Sequence, residues 1–154
     1  MNEREAAKFR RENIGFVFQT VALVPVMTAR ENVEFALRMA GKTQKMEERA
    51  LECLKMVGLA GRASHMPAEM SGGAQQRTAI ARAVAHKPSV ILADEPTGAV
   101  DVKTGAYILD VFREINRTMG TTIVIVTHDR ALSASVDRVA NIRNGKISSE
   151  KVLK

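Results

Sequence analysis

Three short apolar runs divide the chain: residues 14–18 (IGFVF), 90–93 (VILA) and 122–126 (TIVIV). Each is nearly uninterrupted, the pattern of a strand buried on both faces of a parallel sheet. A further pair, residues 139–142 and 146–147, is joined by Asn144-Gly145, a strong two-residue hairpin signal. Elsewhere the period lengthens to that of a helix. Thr28 and Glu31 form a capping box ahead of a helix reaching about Ala40, with Gly41 as its stop. A second helix is predicted from about Gln44 to Val57, ended by Gly58, and a third from Ser71 to about His86, ahead of Pro88. A fourth runs from Asp101 to Met119-Gly120, with Ile108, Phe112, Ile115 and Met119 on one stripe. A short helix is expected before the hairpin. This order predicts an α/β fold with a parallel, doubly wound sheet and a helical insertion of about residues 24–70.

In an open parallel sheet, ligands bind at the carboxyl ends of the strands. Here the first run leads into Gln19, the second into Asp94-Glu95 and the third into His128-Asp129. An amide, two carboxylates and an imidazole would gather at one edge. That set suits phosphoryl transfer. An aspartate at a strand end can hold Mg²⁺ through its water shell. An adjacent glutamate can orient or deprotonate a water, and an imidazole can donate to developing phosphate charge. Packing alone offers a plainer account, in which Asp94-Glu95 is a turn before Pro96 and His128-Asp129 caps a short helix. That account weakens once three strand ends must be explained together.

Ser71-Gly72-Gly73 opens the third helix. Glycine pairs are poor inside helices, so their place at the start implies close backbone approach. Free N–H groups and the positive end of the helix dipole make such a start an anion site, unless Ser71 is merely an N-cap and the glycines a turn. Arg77 and Arg82 add positive charge to the same helix.

Composition narrows the setting. The 154 residues suit a single domain; 45% are apolar and 26% charged, as in an ordinary soluble chain. The net charge of +6 allows an anionic partner without choosing one. Apolar runs are too short to cross a bilayer, and the charged start has no secretory h-region. Cys53, the single cysteine, excludes an internal disulfide and reads as a core residue. His65 and His86 read as solvated, residues 42–45 and 47–49 as a solvated helix face, and no Cys/His cluster has zinc spacing. Aromatic residues make up 4%, too few to support base stacking, so no nucleic-acid partner is expected.

Ser71-Gly72-Gly73-Ala74-Gln75-Gln76-Arg77 resembles the signature motif of ABC-type ATPases. Val90-Ile91-Leu92-Ala93-Asp94-Glu95-Pro96-Thr97 resembles the Walker B strand with its glutamate. Gly98-Ala99-Val100-Asp101 is similar to the D-loop, Gln19 to the Q-loop glutamine and His128 to the switch histidine. Phe18-Gln19, Leu23-Val24-Pro25 and Thr28 through Val33 resemble the lipoprotein-release, macrolide-export and cell-division branch. The resemblance covers essentially the whole chain. It implies an incomplete P-loop NTPase (RecA-like) domain over 1–154, with an α/β core at 1–23 and 84–154 and a helical subdomain at 24–83. It further implies ATP and Mg²⁺ as cofactors, and Glu95 and His128 as catalytic residues. Gln19, Ser71, Gly72, Gly73, Gln75, Asp94 and Asp101 would face the nucleotide, with Gln19 and Asp94 toward the metal. A head-to-tail homodimer is implied, Ser71–Gly73 covering a partner's γ-phosphate. The Gln19 segment would touch a membrane subunit on the cytoplasmic face of the inner membrane, powering export or lipoprotein extraction.

The sequence departs from that pattern in three places. No G-x-x-x-x-G-K-[ST] occurs; near Gly98 and Lys103-Thr104, Val102 stands where the second glycine belongs. Met70 replaces the usual leucine and Ala74 the usual glutamine of the signature. The chain alone is therefore expected to bind ATP poorly and hydrolyse it negligibly, with an uncovered apolar face on its sheet. A non-hydrolysing remnant or interaction module is the alternative.

Overall fold

The structure, a computed structural model, describes residues 2–129, 132 and 135–153. The sheet has three parallel strands in the order β1 (Ile14–Val17), β2 (Val90–Asp94) and β3 (Thr122–Val126). Gly15, Ile91 and Ile123 lie in one row across it, and Val17, Ala93 and Ile125 in the next. These rows form the face that meets the core. An antiparallel pair, β4 (Arg138–Arg143) and β5 (Lys146–Val152), follows. Asn144 and Gly145 both take positive φ, 49° and 73°, the requirement of the mirror-image turn that suits strand twist. The short helix expected ahead of this hairpin falls largely outside the described residues.

The described residues form five α-helices: α1 (Glu3–Asn13), α2 (Ala29–Met39), α3 (Met46–Met56), α4 (Gly72–Val84) and α5 (Val102–Met119). The Thr28–Glu31 capping box forms in both directions, and Gly41, at φ 73°, ends α2 by letting Lys42 N–H reach back to the Leu37 carbonyl. Helix α1 carries no apolar stripe and buries no residue; only its Asn2–Glu5 capping box announces it.

Helix α4 lies directly on β1. A Cβ at Gly15 would stand 2.4 Å from the Ala83 carbonyl oxygen, so only glycine admits this approach. Ile80, Val84, Ile91, Ile108 and Ile115 are wholly buried together, with Val33 and Leu54 joining from α2 and α3. Cys53 is in this core, and burial pushes its thiol up to about 11, so it serves as packing.

Three expectations need correction. Of the two expectations for the sheet, burial of the strands on both faces fails and the uncovered apolar face holds, since Phe16, Val124 and Val126 on the opposite face are 38%, 43% and 62% exposed. His86 is buried rather than solvated. Arg49 is not a solvated charge: its Nε donates to the Ala85 carbonyl at the end of α4.

Candidate active site at the strand ends

The ladder between β2 and β3 continues one step past Asp94, with Glu95 N–H donating to the Val126 carbonyl at 2.9 Å. Glu95 then turns the chain with φ 43°, an uncommon conformation for a side chain with a Cβ. Gly98 N–H closes the turn on the Glu95 carbonyl. This swing aims the Glu95 carboxylate across at the end of β3. There the Thr127 hydroxyl donates to Oε2 at 2.9 Å, and His128 N–H donates to Oε1 at 2.9 Å. The His128 ring adds Nδ1 at 2.6 Å from the same Oε1. The hydrogen bond from the His128 ring, aided by Thr127 and the His128 amide, holds the Glu95 carboxyl below the usual range. An ionised carboxylate only accepts, so Nδ1 carries the proton and Nε2 faces solvent. The His128 side chain is 89% exposed and that of Glu95 16%.

Gln19 follows β1 two residues beyond the Val17–Ala93 pair, beside the Glu95 turn. Its Nε2 would lie 3.7 Å from a Cβ added at Gly98. Asp94 is exposed at the end of β2. Gln19, Asp94, Glu95 and His128 therefore share one edge of the sheet. Among the described residues no three His, Cys, Asp or Glu side chains converge as a metal cage. The donor set is one free-facing carboxylate and an amide. That fits Mg²⁺, which keeps most of its waters, better than a cation needing an all-protein shell.

The segment carrying Gln19 is fastened from behind. Buried Asn32 accepts from Val24 N–H at 2.8 Å and donates to the carbonyls of Val24, Met27 and Thr28. Arg82 donates to the carbonyls of Ala22 and Val21.

The residues from the start of α4 form a second group. Ser71 Oγ accepts from Ala74 N–H at 3.3 Å and is the helix N-cap. Ser71 and Gly72 are exposed. A Cβ at Gly73 would meet Thr104 Cγ2 at 2.7 Å, so α4 begins against the first turn of α5. Asp101 caps α5, accepting from the Thr104 amide at 3.0 Å and its hydroxyl at 2.6 Å; the hydroxyl bond leads in holding its carboxyl below the ordinary value. Gln75 donates to the carbonyls of Pro67 and Met70 and so shapes the turn before the helix.

Sequence reasoning passed over two supporting residues: Thr127, whose hydroxyl orients Glu95, and Gln76, which is buried between the strand ends and α4. Thr127 looks like the last residue of an apolar strand, and Gln76 like one more polar position on a helix.

A parallel sheet whose strand ends carry these groups, with a helix opening on Ser-Gly-Gly, defines a nucleotide-binding cassette. The family model "ABC transporter" matches residues 1–98, and the chain belongs to that family. It is 46% identical over 159 aligned positions to the uncharacterized ABC transporter ATP-binding protein MJ0796 of Methanocaldococcus jannaschii, covering all of this chain and 68% of that protein. It is 44% identical to the lipoprotein-releasing system ATP-binding protein LolD of Legionella pneumophila, covering 96% of this chain and 65% of that one. Against the macrolide export ATP-binding/permease protein MacB of Burkholderia pseudomallei, identity is 47%, covering 96% of this chain and 23% of that protein. The chain thus spans about two thirds of the length of the first two relatives and under a quarter of the third. A dimeric structure of MJ0796, in a post-hydrolysis state bound to ADP and Pi, superposes with TM-score 0.88 at 43% identity, covering all of this chain and 68% of that one. No helix among the described residues is long and apolar enough to cross a membrane.

Proposed function

We propose that this chain supplies the hydrolytic strand ends and the signature helix of an ABC transporter ATPase that powers export or lipoprotein extraction through a membrane subunit. The observation that carries the reading is the Glu95 carboxylate, swung out of β2 and fixed by Thr127 and His128. A carboxylate held below its usual range is a weak base, so its work is to orient the attacking water more than to strip it of a proton. His128 presents Nε2 outward; with Nδ1–H engaged by Glu95, Nε2 donates to phosphate oxygen only when the ring is imidazolium. Asp94 and Gln19 are the residues to hold Mg²⁺ through its waters. When bound, the ion neutralises charge developing on the transferred phosphoryl group. Ser71, Gly72 and Gly73 present the exposed start of α4, an anion site by its free N–H groups, to nucleotide held by a second protomer in a head-to-tail dimer. Gln75 and Asp101 support that surface by shaping the turn before α4 and the start of α5. In this reading the protein works at the cytoplasmic face of the inner membrane, the Gln19 segment meeting the membrane subunit.

The sequence holds no G-x-x-x-x-G-K-[ST], the loop whose backbone amides and lysine cradle phosphates. The chain by itself is accordingly expected to show negligible steady-state ATPase activity, and measurable turnover would overturn that expectation. The site assignments are tested in a chimera that joins this chain to the part of MJ0796 lying outside the match. Mg²⁺-dependent hydrolysis is expected there, with Glu95→Gln lowering turnover by about a hundred-fold or more. Unchanged turnover in Glu95→Gln would remove Glu95 from the mechanism.

A further inference from the structure

Gln76 sits in the second turn of α4, 3% exposed, in a place where a leucine or methionine would satisfy packing. Instead an amide is buried there, and its Oε1 has no hydrogen-bond partner among the described residues. A buried acceptor without a partner is unfavourable, so any benefit of an amide at this place lies on its donor side. The donor side is specific. Nε2 donates to the Pro96 carbonyl at 3.0 Å and to the Phe18 carbonyl at 3.5 Å. Pro96 directly follows Glu95 and Phe18 directly precedes Gln19. One amide group therefore fixes the two backbone segments that carry the candidate water-orienting carboxylate and the candidate metal-facing amide. It does so from the helix whose first residues are Gly72 and Gly73.

The geometry points to Gln76 as a positioning residue: it sets the direction of Glu95 toward His128 and the place of Gln19, and links both to the start of α4. Its importance for hydrolysis rests on the ATPase reading above, but the geometric role does not. Glu95 holds φ 43°, a conformation the chain leaves readily unless its neighbours over-determine it. Before it, the Glu95 amide is fixed by Val126. After it, the Pro96 carbonyl is held by Gln76, and proline brings no N–H of its own. Removing the Gln76 donor frees the downstream half of this turn while leaving the helix stripe that packs on β1 unchanged.

The test is amide hydrogen exchange, read residue by residue by NMR on the full chain without nucleotide, in Gln76→Met and Gln76→Glu. Methionine keeps the volume and loses both donations. Exchange at Gly98 N–H, which bonds to Glu95, and at His128 N–H, which bonds to its carboxylate, is expected to rise about ten-fold, the scale of one hydrogen bond. Amides in the middle of α4 are expected to stay as they are. Equal acceleration throughout α4 and β2, or none at Gly98 and His128, would overturn the role. Should the methionine variant fail to fold, Gln76→Glu decides. Ionised, the introduced carboxylate repels the two carbonyls; protonated, it can donate to one of them, so protection at Gly98 should recover as pH is lowered. A Gly98 exchange indifferent to that protonation would overturn the role equally. Since no nucleotide is present, a failed ATPase reading, decided by Glu95→Gln in the chimera, leaves this result standing.

Discussion

Single side chains settle how closely the two helix starts approach. Gly73 is the residue to examine, because a Cβ there would meet the Thr104 methyl at 2.7 Å. Thr104 is stiff at χ1 and its hydroxyl is already engaged by Asp101, so the methyl cannot swing aside without breaking that hydroxyl bond. Gly73→Ala is expected to lower stability by about 1–2 kcal/mol, the range of mild overpacking. Thr104→Ser keeps the hydroxyl, removes the methyl, and should return most of that loss in the double variant; denaturant midpoints of the four chains measure it. Non-additivity of that kind is what two residues in direct contact should show. His86 gives a second residue-scale prediction. Burial, as the leading cause, lowers its pKa below the ordinary 6.5, outweighing the Ile14 backbone contact that raises it, while nearby Lys42 lowers it further. The unfolded chain therefore binds the proton more readily, and the His86 contribution is complete above about 6.5 and shrinks as pH falls below that. In His86→Phe, the loss of stability between neutral and mildly acid pH should be smaller than in the parent. An equal slope in both chains would show that His86 does not set it.

At the scale of elements, most of the layout was legible because it is written in short-range chemistry. Thr28 and Glu31, Gly41 and Gly58, Asn144 and Gly145 each satisfy backbone groups within a few residues, and each does in the structure what its type requires. The strand ends were legible for a similar reason, since apolar runs stopping in Gln19, Asp94-Glu95 and His128 leave those groups at one edge of a parallel sheet. Helix α1 was not, because it buries none of its side chains and so has no apolar period to read. Gln76 and Thr127 were missed because their partners lie far along the chain: Gln76 reaches Pro96 and Phe18, and Thr127 reaches Glu95. The contact of α4 with β1 belongs to this scale too. Gly15 leaves the Ala83 carbonyl room to lie against the strand, and a Cβ would meet backbone, which cannot rotate away. Gly15→Ala should therefore lower stability by about 1–3 kcal/mol or more, with the helix displaced from the sheet. Thermal unfolding of the variant checks the first, and loss of near-neighbour NMR contacts between α4 and β1 the second.

For the whole molecule, the sheet is the decisive layer because the described residues cover only one of its faces. Gly15, Val17, Ile91, Ala93, Ile123 and Ile125 turn toward the helices. On the opposite face Phe16, Leu92 and Val124 lie in one row across the strands, and Phe18 and Val126 extend the patch toward the edge that carries Gln19 and Glu95. Phe16 and Phe18 stack with ring centroids 5.9 Å apart, which joins their surfaces into a continuous apolar strip. Nearly uninterrupted apolar strands suggest two covered faces, yet the same residues here face solvent on one side, as the expected uncovered apolar face requires. Such a strip is a site of association, since each exposed side chain regains part of its transfer free energy when another surface covers it. The net charge of +6 opposes association only weakly at physiological salt, where its range is about 8 Å. The isolated chain is therefore expected to self-associate as concentration rises, and increasing salt should promote it. Val124→Lys places a charge in the middle of the strip, on a side chain already 43% exposed, and leaves the helix-facing rows intact. Sedimentation velocity should show it monomeric where the parent associates, with an unchanged far-ultraviolet circular dichroism spectrum. If the parent stays monomeric at every concentration, or if Val124→Lys associates as readily, the strip is not the adhesive surface.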